Sequence, residues 1–201
     1  MQILQRQPYQ VFLDSPGVVF FIRHGQCRSN IEWPILDYND DIDPLTEKGK
    51  KQAIKTGFFL KEILPDFKWR VYSSTLLRAI QTAELVSEIG KFDFVGKDDR
   101  INEFDSINED HDVLSKRIDS FRKEISMSHL DKNERILVVT HGFVLSSLLC
   151  TIFKTNIQIV NKGEVNGQNG LSVHANAGLS AFHDNDLVCW NHHFHLLNDE
   201  G

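Results

Sequence analysis

The stretch from Val18 to Gly25 constrains this chain more than any other. Five apolar residues without a charge, Val18–Ile22, predict a strand that is buried on both faces of a sheet. Arg23, His24 and Gly25 follow directly at the carboxyl end of that strand. In open α/β sheets this edge is where ligands bind, and a glycine lets the backbone approach a ligand closely. A guanidinium and an imidazole at this edge favour an anionic ligand.

The same pattern returns in the second half of the chain. In the stretch Arg135–Thr140, the apolar run Ile136–Val139 and Thr140 are followed by His141 and Gly142. Between the two units, predicted strands and helices alternate with short turns, which is typical of a parallel sheet covered by helices. We therefore predict an α/β fold of three layers, with a mostly parallel central sheet and helices on both faces. A single domain over 1–201, with its core at about 17–197, fits this pattern.

Local signals give the boundaries of the other elements. Thr46 is the predicted N-cap of a helix over 47–64, which Pro65 ends. The acidic run 37–43 is interpreted as a solvated loop. The remaining predicted elements are strands over 69–73 and 92–95, helices over 76–89, 113–126 and 143–153, a loop over 162–170, and a final hairpin of 176–183 and 187–196 around Asp184-Asn185.

Composition excludes several functional classes. The net charge of −6 gives no electrostatic support for nucleic-acid binding. The three scattered cysteines predict no disulfide framework, and so indicate a reducing compartment. Residues 1–10 have no apolar segment of a secretory signal, and no apolar run is long enough to cross a bilayer. We therefore expect a cytoplasmic enzyme or binding protein without a membrane or nucleic-acid partner.

Several groups could meet at the carboxyl edge of the predicted sheet. His24 and His141 each follow a strand, and Arg78 falls in the first turn of a predicted helix. Two arginines and two histidines suit a compact dianion such as phosphate. An imidazole beside that anion can attack phosphorus, and a carboxylic acid such as Glu103 can protonate the leaving oxygen. This scheme needs no metal and no cofactor.

Two assignments stay open at this point. Asp105 lies two residues after Glu103 and, in an extended segment, faces the same side, so either carboxyl could be the acid. The second assignment concerns a cluster of cysteine and histidine residues near the end of the chain, which suggests a metal site. The spacing of these residues fits no standard zinc pattern, and we expect surface imidazoles there instead. The cluster consists of Cys189, His192, His193 and His195.

Several blocks of the chain, in the right order, resemble the histidine phosphatase superfamily, also called the phosphoglycerate mutase-like family. The match runs from about Gly17 to Leu196, which is nearly the whole chain. The matching blocks are Arg23-His24-Gly25-Gln26 with Asn30 downstream, Leu45-Thr46-Glu47-Lys48-Gly49, the stretch 73–84 with Ser73-Ser74, Arg78 and Gln81-Thr82-Ala83, Ile101-Asn102-Glu103, Val139-Thr140-His141-Gly142 and His195-Leu196. Their number and order make the resemblance specific.

The resemblance implies a phosphoglycerate mutase-like fold and a role for each matching residue. His24 would be the nucleophile that becomes phosphohistidine. Glu103 would protonate the leaving group and then activate water. The substrate-binding residues implied are Arg23, Arg78 and His141 around the phosphoryl group, with Asn30, Gln26 and Cys27 nearby. The implied activity is that of a histidine acid phosphatase-type phosphoric monoester hydrolase, without metal, acting on a small phosphorylated substrate.

Two departures from the family pattern bear on function. Cys27 stands where the family usually has Ser or Thr; we hypothesise that the nearby cations favour its thiolate, so that oxidation would block the pocket. After Glu103 the chain continues with 104–108, where the mutases carry an Arg-His-Tyr-Gly-like block. The interval from Glu103 to His141 also leaves little room for the helical insertion of the mutases. Both features of this interval favour a phosphatase.

Two other functions remain open. A phosphoglycerate mutase-type enzyme would return the phosphoryl group to a second hydroxyl group. A non-catalytic module would bind a phosphorylated ligand without turning it over, although it would need neither nucleophile nor acid. The leaving-group pocket is expected between 26 and 43 and at 104–111, and sugar phosphates, nucleotides and phosphoproteins all remain open as substrates.

Overall fold

The computed structural model describes residues 17–32, 39, 42–127, 133–153, 174–183 and 186–196. The predicted loop at 162–170 and the turn at 184–185 lie outside these residues, as does most of the acidic run at 37–43. Within the described part, no helix is both long and apolar enough to span a bilayer.

The described strands form one mixed sheet. Its order is β3-β2-β4-β1-β5-β6. The four strands from β3 to β1 are parallel to their neighbours, whereas β5 pairs antiparallel with both β1 and β6. The prediction of a mostly parallel central sheet is confirmed, with an antiparallel hairpin at one side. The strands are β1 (Val18–Arg23), β2 (Lys68–Ser73), β3 (Asp93–Lys97), β4 (Glu134–Thr140), β5 (Leu179–His183) and β6 (Asp186–His192).

The four helices begin and end within two residues of the boundaries that the sequence predicts. The side chain of Thr46 caps the first of them, accepting a hydrogen bond from the Gly49 backbone N–H. Short 3₁₀ turns occur at Arg28–Asn30, Asp99–Ile101 and Phe194–Leu196. The helices are α1 (Glu47–Ile63), α2 (Leu77–Gly90), α3 (His111–Met127) and α4 (Gly142–Phe153).

Hydrophobic cores fill both faces of the sheet. Successive residues of a strand point to opposite faces, so β1 contributes Phe20 to one core and Phe21 to the other. The first core packs α1 and α2 on the sheet through residues such as Leu60 and Val86. The second packs α3 and α4, through residues such as Ile118. This arrangement is the predicted three-layer α/β fold.

The parallel register brings the ends of three strands together. Arg23 of β1 lies opposite Thr140 of β4, and Ser73 of β2 lies opposite Val139 of β4. The ladder continues beyond the strands, because the His24 N–H donates to the Thr140 carbonyl at 2.9 Å. The segments that follow β1, β2 and β4 therefore meet at one edge of the sheet.

Two glycines allow the segment after β1 to lie directly against the start of α1. A Cβ on Gly25 would be 2.5 Å from the Gly49 carbonyl oxygen, and a Cβ on Gly49 would collide with the Gln26 carbonyl. The Thr46 N–H donates to that same Gln26 carbonyl at 2.9 Å. The backbone that carries His24 is thus fixed by close contact with α1.

We expect Gly49→Ala to lower the free energy of unfolding by about 2 kcal/mol or more, because the new methyl group forces two backbone segments apart. This loss exceeds the roughly 1 kcal/mol by which alanine favours a helix over glycine. Gly96→Ala is the matched control, since a Cβ at Gly96 has open space around it. Urea denaturation measures both variants; equal stability of Gly49→Ala and wild type would contradict the predicted clash.

Candidate active site

A cleft of about 840 Å³ opens at the carboxyl edge of the sheet. Arg23, His24 and Arg78 line it, and the side chain of Glu103 belongs to its wall. Asn30 also lines the cleft. The structure therefore brings together most of the residues that the sequence singled out, although they come from the segments after β1, the start of α2 and the segment after β3.

His24 is held in one tautomer by its own backbone. The residue is only 2 % exposed, and its Nδ1 lies 2.8 Å from the Gly25 carbonyl oxygen. A carbonyl only accepts hydrogen bonds, so Nδ1 carries the proton and the lone pair is on Nε2. Burial lowers the pKa of His24 well below its usual range, and the charges of Arg78 and Arg23 lower it further. The imidazole is thus neutral at physiological pH.

Two guanidinium groups flank His24, that of Arg23 half-buried and that of Arg78 buried. Arg23 donates from Nη1 to the His174 carbonyl at 2.7 Å, while its buried Nε has no hydrogen-bond partner among the described residues. Arg78 is buried at the start of α2, with Nη1 3.9 Å from a carboxylate oxygen of Asp43. A buried donor without a partner is costly, so the Nε of Arg23 indicates a place for an anion's oxygen.

His141 lies beside the His24 ring and is fully buried. The centroids of the two imidazoles are 5.1 Å apart. His141 Nε2 lies 2.6 Å from Ser74 Oγ, and its buried Nδ1 has no partner among the described residues. Burial lowers the pKa of His141 well below its usual range, with the nearby His24 and Arg78 adding to the effect. Two neutral rings can therefore sit side by side.

The two candidate acids have different environments. Oε1 of Glu103 accepts from the backbone N–H groups of Phe104 at 3.0 Å and Phe143 at 3.1 Å. Burial nevertheless raises the pKa of Glu103, which favours the protonated form. Asp105 is exposed, and the side chain of Asn108 and nearby backbone N–H groups lower its pKa. Of the two, Glu103 has the properties of a general acid.

The hypothesis of a reactive Cys27 is wrong in its premise. The side chain is completely buried, with Sγ 3.2 Å from Asn30 Oδ1 and 3.4 Å from Ser29 Oγ. Burial raises the pKa of the thiol to about 11, which outweighs the effect of the nearby cations. Neither Cys27 nor Gln26 is among the residues that line the cleft. Gln26 instead accepts from the Thr46 hydroxyl through Oε1 at 3.0 Å.

Several supporting residues were missed by sequence reasoning. Asp43 was assigned to a solvated loop, but it is only 4 % exposed and accepts from Ser29 Oγ at 2.6 Å. The side-chain amide of Asn176 donates to Asn30 Oδ1 at 2.9 Å and to the His24 carbonyl at 3.3 Å. No local sequence pattern predicts such contacts, because the partners are far apart along the chain. Ser74 lay within a matched block but had no assigned role.

Arg117 of α3 holds the segment that carries Glu103. Its guanidinium donates to the carbonyl groups of Arg100 at 2.7 Å, Asn102 at 2.8 Å and Glu103 at 3.1 Å. It also binds both carboxylate oxygens of Glu109, at 2.6 Å and 2.9 Å. These five hydrogen bonds occupy all five guanidinium N–H groups. The sequence offered no signal for this role beyond an arginine on a helix.

His192 and His195 lie against α1 instead of projecting from the surface. The rings of His192 and His195 stack on Phe59, with centroids 5.3 Å and 4.7 Å away. His195 Nε2 lies 3.1 Å from Thr56 Oγ1, and burial lowers the pKa of His195 to about 4. The expectation of surface imidazoles is therefore wrong for His192 and His195. Across the described ranges, no three His, Cys, Asp or Glu side chains are grouped so that they could hold a metal ion.

Comparison with known proteins identifies relatives over much of the chain. The sequence profile of the histidine phosphatase superfamily (branch 1) matches residues 19–107 and 93–176. A stretch of 71 residues is 42 % identical to fructose-2,6-bisphosphatase TIGAR of Bos taurus, covering 35 % of this chain and 25 % of that protein. Another of 77 residues is 36 % identical to the 2,3-bisphosphoglycerate-dependent phosphoglycerate mutase of Streptomyces griseus, covering 37 % of this chain and 28 % of that enzyme.

The fold also matches solved structures. A mutant phosphoserine phosphatase of Entamoeba histolytica, in complex with phosphoserine, superposes with a TM-score of 0.69 at 20 % identity. This match covers 90 % of the present chain and 99 % of the other. At that identity the similarity is one of fold. The matches to the two curated relatives span only about a quarter of the length of each.

We expect Cys27 to resist alkylation in the folded protein, because its thiol is buried and its pKa is raised to about 11. Iodoacetamide labelling at neutral pH, followed by peptide mass spectrometry, should modify the Cys27 peptide only after unfolding. The half-buried Cys150 serves as an internal comparison in the same digest. Labelling of native Cys27 at the rate of an exposed thiol would contradict this environment.

Proposed function

The chain belongs to the histidine phosphatase superfamily, and from this premise we propose that it hydrolyses phosphate monoesters through a phosphohistidine on His24. The observation that carries the proposal is the neutral His24 imidazole, with its Nδ1 bound to the Gly25 carbonyl, on the floor of a cleft flanked by Arg23 and Arg78. The single-domain organisation and the cytoplasmic location remain predictions.

In the first step, the lone pair on His24 Nε2 forms a bond to phosphorus. The bond between phosphorus and the leaving oxygen breaks, and the protonated carboxyl group of Glu103 gives its proton to that oxygen. The products are the free alcohol, the phosphorylated His24 and the Glu103 carboxylate. The raised pKa of Glu103 supports this role, since the group must be protonated when the substrate binds.

In the second step, water attacks phosphorus. The Glu103 carboxylate takes a proton from the water as the oxygen–phosphorus bond forms and the bond between phosphorus and His24 breaks. Inorganic phosphate leaves, and both residues return to their starting protonation states. One carboxyl group therefore acts first as acid and then as base, as microscopic reversibility requires.

The positive charge for the reaction comes from protein side chains. Arg23 and Arg78 lie near enough to His24 to lower its pKa, and there they stabilise the charge on the equatorial oxygens of the transferring group. The unpartnered Nε of Arg23 and Nδ1 of His141 are further groups that could donate to those oxygens. Asn30 lines the same cleft and is the remaining substrate contact that we propose. With these groups present, we propose that no metal is required.

Two features favour hydrolysis over mutase-type transfer. The mutase block is absent at 104–108, and in its place Asp105 forms hydrogen bonds within its own turn. The cleft is also open beside Ile107, which is 89 % exposed, so water can reach the phosphorylated His24. One curated relative is named a mutase and another a bisphosphatase, so mutase-type transfer remains the alternative. The solved phosphoserine complex supports a small phosphate ester as the substrate class.

We expect His24→Ala to lose turnover of an aryl phosphate, by about 10⁴-fold or more, because no other nucleophile stands in its place. Wild-type turnover should persist when a chelator such as EDTA is present. Phosphate release measures both. His183→Ala is the control, since His183 pairs with Val18 at the opposite end of the sheet. Turnover that survives in His24→Ala would refute the assigned nucleophile, and turnover abolished by EDTA would refute metal independence.

We expect kcat/KM to be greatest on the acidic side of neutrality. His24 must be neutral, and its pKa is well below 6.5; Glu103 must be protonated, and its pKa is above 4.5. Activity should thus fall as rising pH removes the Glu103 proton. Glu103→Gln should lose this alkaline limb and lower kcat for an alkyl phosphate by about 10²-fold or more.

Asp105→Asn is the control for this profile and should keep the alkaline limb. The same alkyl phosphate is used for all three proteins, so that ionisation of the substrate contributes equally to each profile. Loss of the limb in Asp105→Asn, with retention in Glu103→Gln, would reverse the assignment of the acid.

A further inference from the structure

We propose that the leaving group of the substrate is apolar and carries no second phosphate or carboxylate. This inference rests on the proposed function, because it concerns the part of the ester that departs from phosphorus. It follows from the residues that line the cleft together with His24, which include several apolar and several acidic side chains. The hydrogen bonds of Arg117 explain why a second anionic group would not be bound.

Four large apolar side chains line the cleft, those of Leu76, Phe104, Ile107 and Phe143. The rings of Phe104 and Phe143 are 5.4 Å apart, and Ile107 and Phe143 are 89 % and 38 % exposed. Exposed apolar residues gathered around one cleft are typical of a binding surface, and covering them gains about 25 cal/mol per Å². An apolar leaving group would cover this surface.

Each arginine that lines the cleft is already assigned to the phosphoryl group or bound by the protein itself. Arg23 and Arg78 flank His24 and are needed for the phosphoryl group. Among the described lining residues, the one other cation is Arg117. All five of its N–H groups donate to the carbonyl groups and the carboxylate already described. Arg117 therefore has no donor left for a second anionic group on the substrate.

Carboxylates also line the cleft, at Asp99, Asp105 and Glu109. Glu109 is neutralised by Arg117, whereas the hydrogen-bond partners of Asp105 are uncharged amide groups. A second phosphate or carboxylate would thus lose water, meet like charges and find no unoccupied cation among the described residues that line the cleft. A neutral group of the same shape avoids these costs.

The test compares two esters that differ in charge and not in shape. 4-Carbamoylphenyl phosphate and 4-carboxyphenyl phosphate have the same size, and one of them carries the additional carboxylate. We expect kcat/KM to be about tenfold or more higher for the carbamoyl ester. Equal values, or a preference for the carboxylate, would overturn the inference and leave the proposed function standing. No turnover of either ester would overturn both.

A cation introduced at an exposed position of the cleft lining tests whether the lining residues cause the preference for the uncharged ester. Ile107→Lys places a cation on a highly exposed lining position, where it should be tolerated. We expect this variant to bring the two kcat/KM values to within about threefold of each other. Phe58→Lys is the control, because Phe58 is an apolar residue that is 59 % exposed but lies on α1, outside the cleft lining. An unchanged ratio in Ile107→Lys, or a change in both variants, would overturn the inference.

A second pair of esters tests the apolar surface itself. 4-Butylphenyl phosphate adds four carbons to phenyl phosphate with little change in the leaving-group chemistry. We expect its kcat/KM to be about tenfold higher through a lower KM, because the chain covers apolar surface. Phe143→Ala should reduce this gain while both esters are still hydrolysed. A lower kcat/KM for the butyl ester than for the phenyl ester in the wild type would overturn the apolar assignment.

Discussion

The parallel pairing of β1 with β4, and of β4 with β2, is the constraint on which the site depends. This pairing brings the segments that follow three strands to one edge of the sheet. The backbone ladder extends past the strands, since His24 bonds to the Thr140 carbonyl at 2.9 Å and Ser74 to the Val139 carbonyl at 3.0 Å. The His24 backbone is therefore held by the same hydrogen-bond ladder as the sheet itself.

Burial gives the two proposed catalytic groups their complementary protonation states. The same loss of solvent lowers the pKa of His24 and raises the pKa of Glu103, because in each case it disfavours the charged form. A neutral base and a neutral acid can then face one substrate at a single pH. The arginines beside them remain charged, so this part of the cleft attracts an anion while the His24 imidazole stays neutral.

Sequence reasoning located the parts of the site that come from local pattern. The apolar run of β1, the N-cap Thr46 and the first turn of α2 are all local signals, and the structure places them within one or two residues of the prediction. Burial of polar groups was not predictable in the same way. The low exposure of Asp43 depends on Ser29, fourteen positions away. The raised pKa of Cys27 depends on packing that removes water, which the mere proximity of arginines did not reveal.

Contacts between distant segments account for the other omissions. Arg23 donates to the carbonyl of His174, 151 positions later in the chain. Arg117 binds the Glu103 segment through backbone carbonyl groups, which carry no sequence signature. Such contacts do not alter the residue types of a motif, yet they set its geometry. The contacts of Arg117 also use all five of its N–H groups, so a residue outside the motif limits the positive charge that the cleft offers a ligand.

The most direct test of the account is to identify the residue that carries the phosphoryl group during turnover. Glu103→Gln should slow the second step, so the protein is mixed with an aryl phosphate, quenched at alkaline pH and digested for peptide mass spectrometry. The account predicts one added phosphoryl group on the peptide that contains His24, and none in the double variant that also carries His24→Ala. A phosphoryl group on another residue, or steady turnover without a phosphorylated peptide, would contradict the phosphohistidine mechanism.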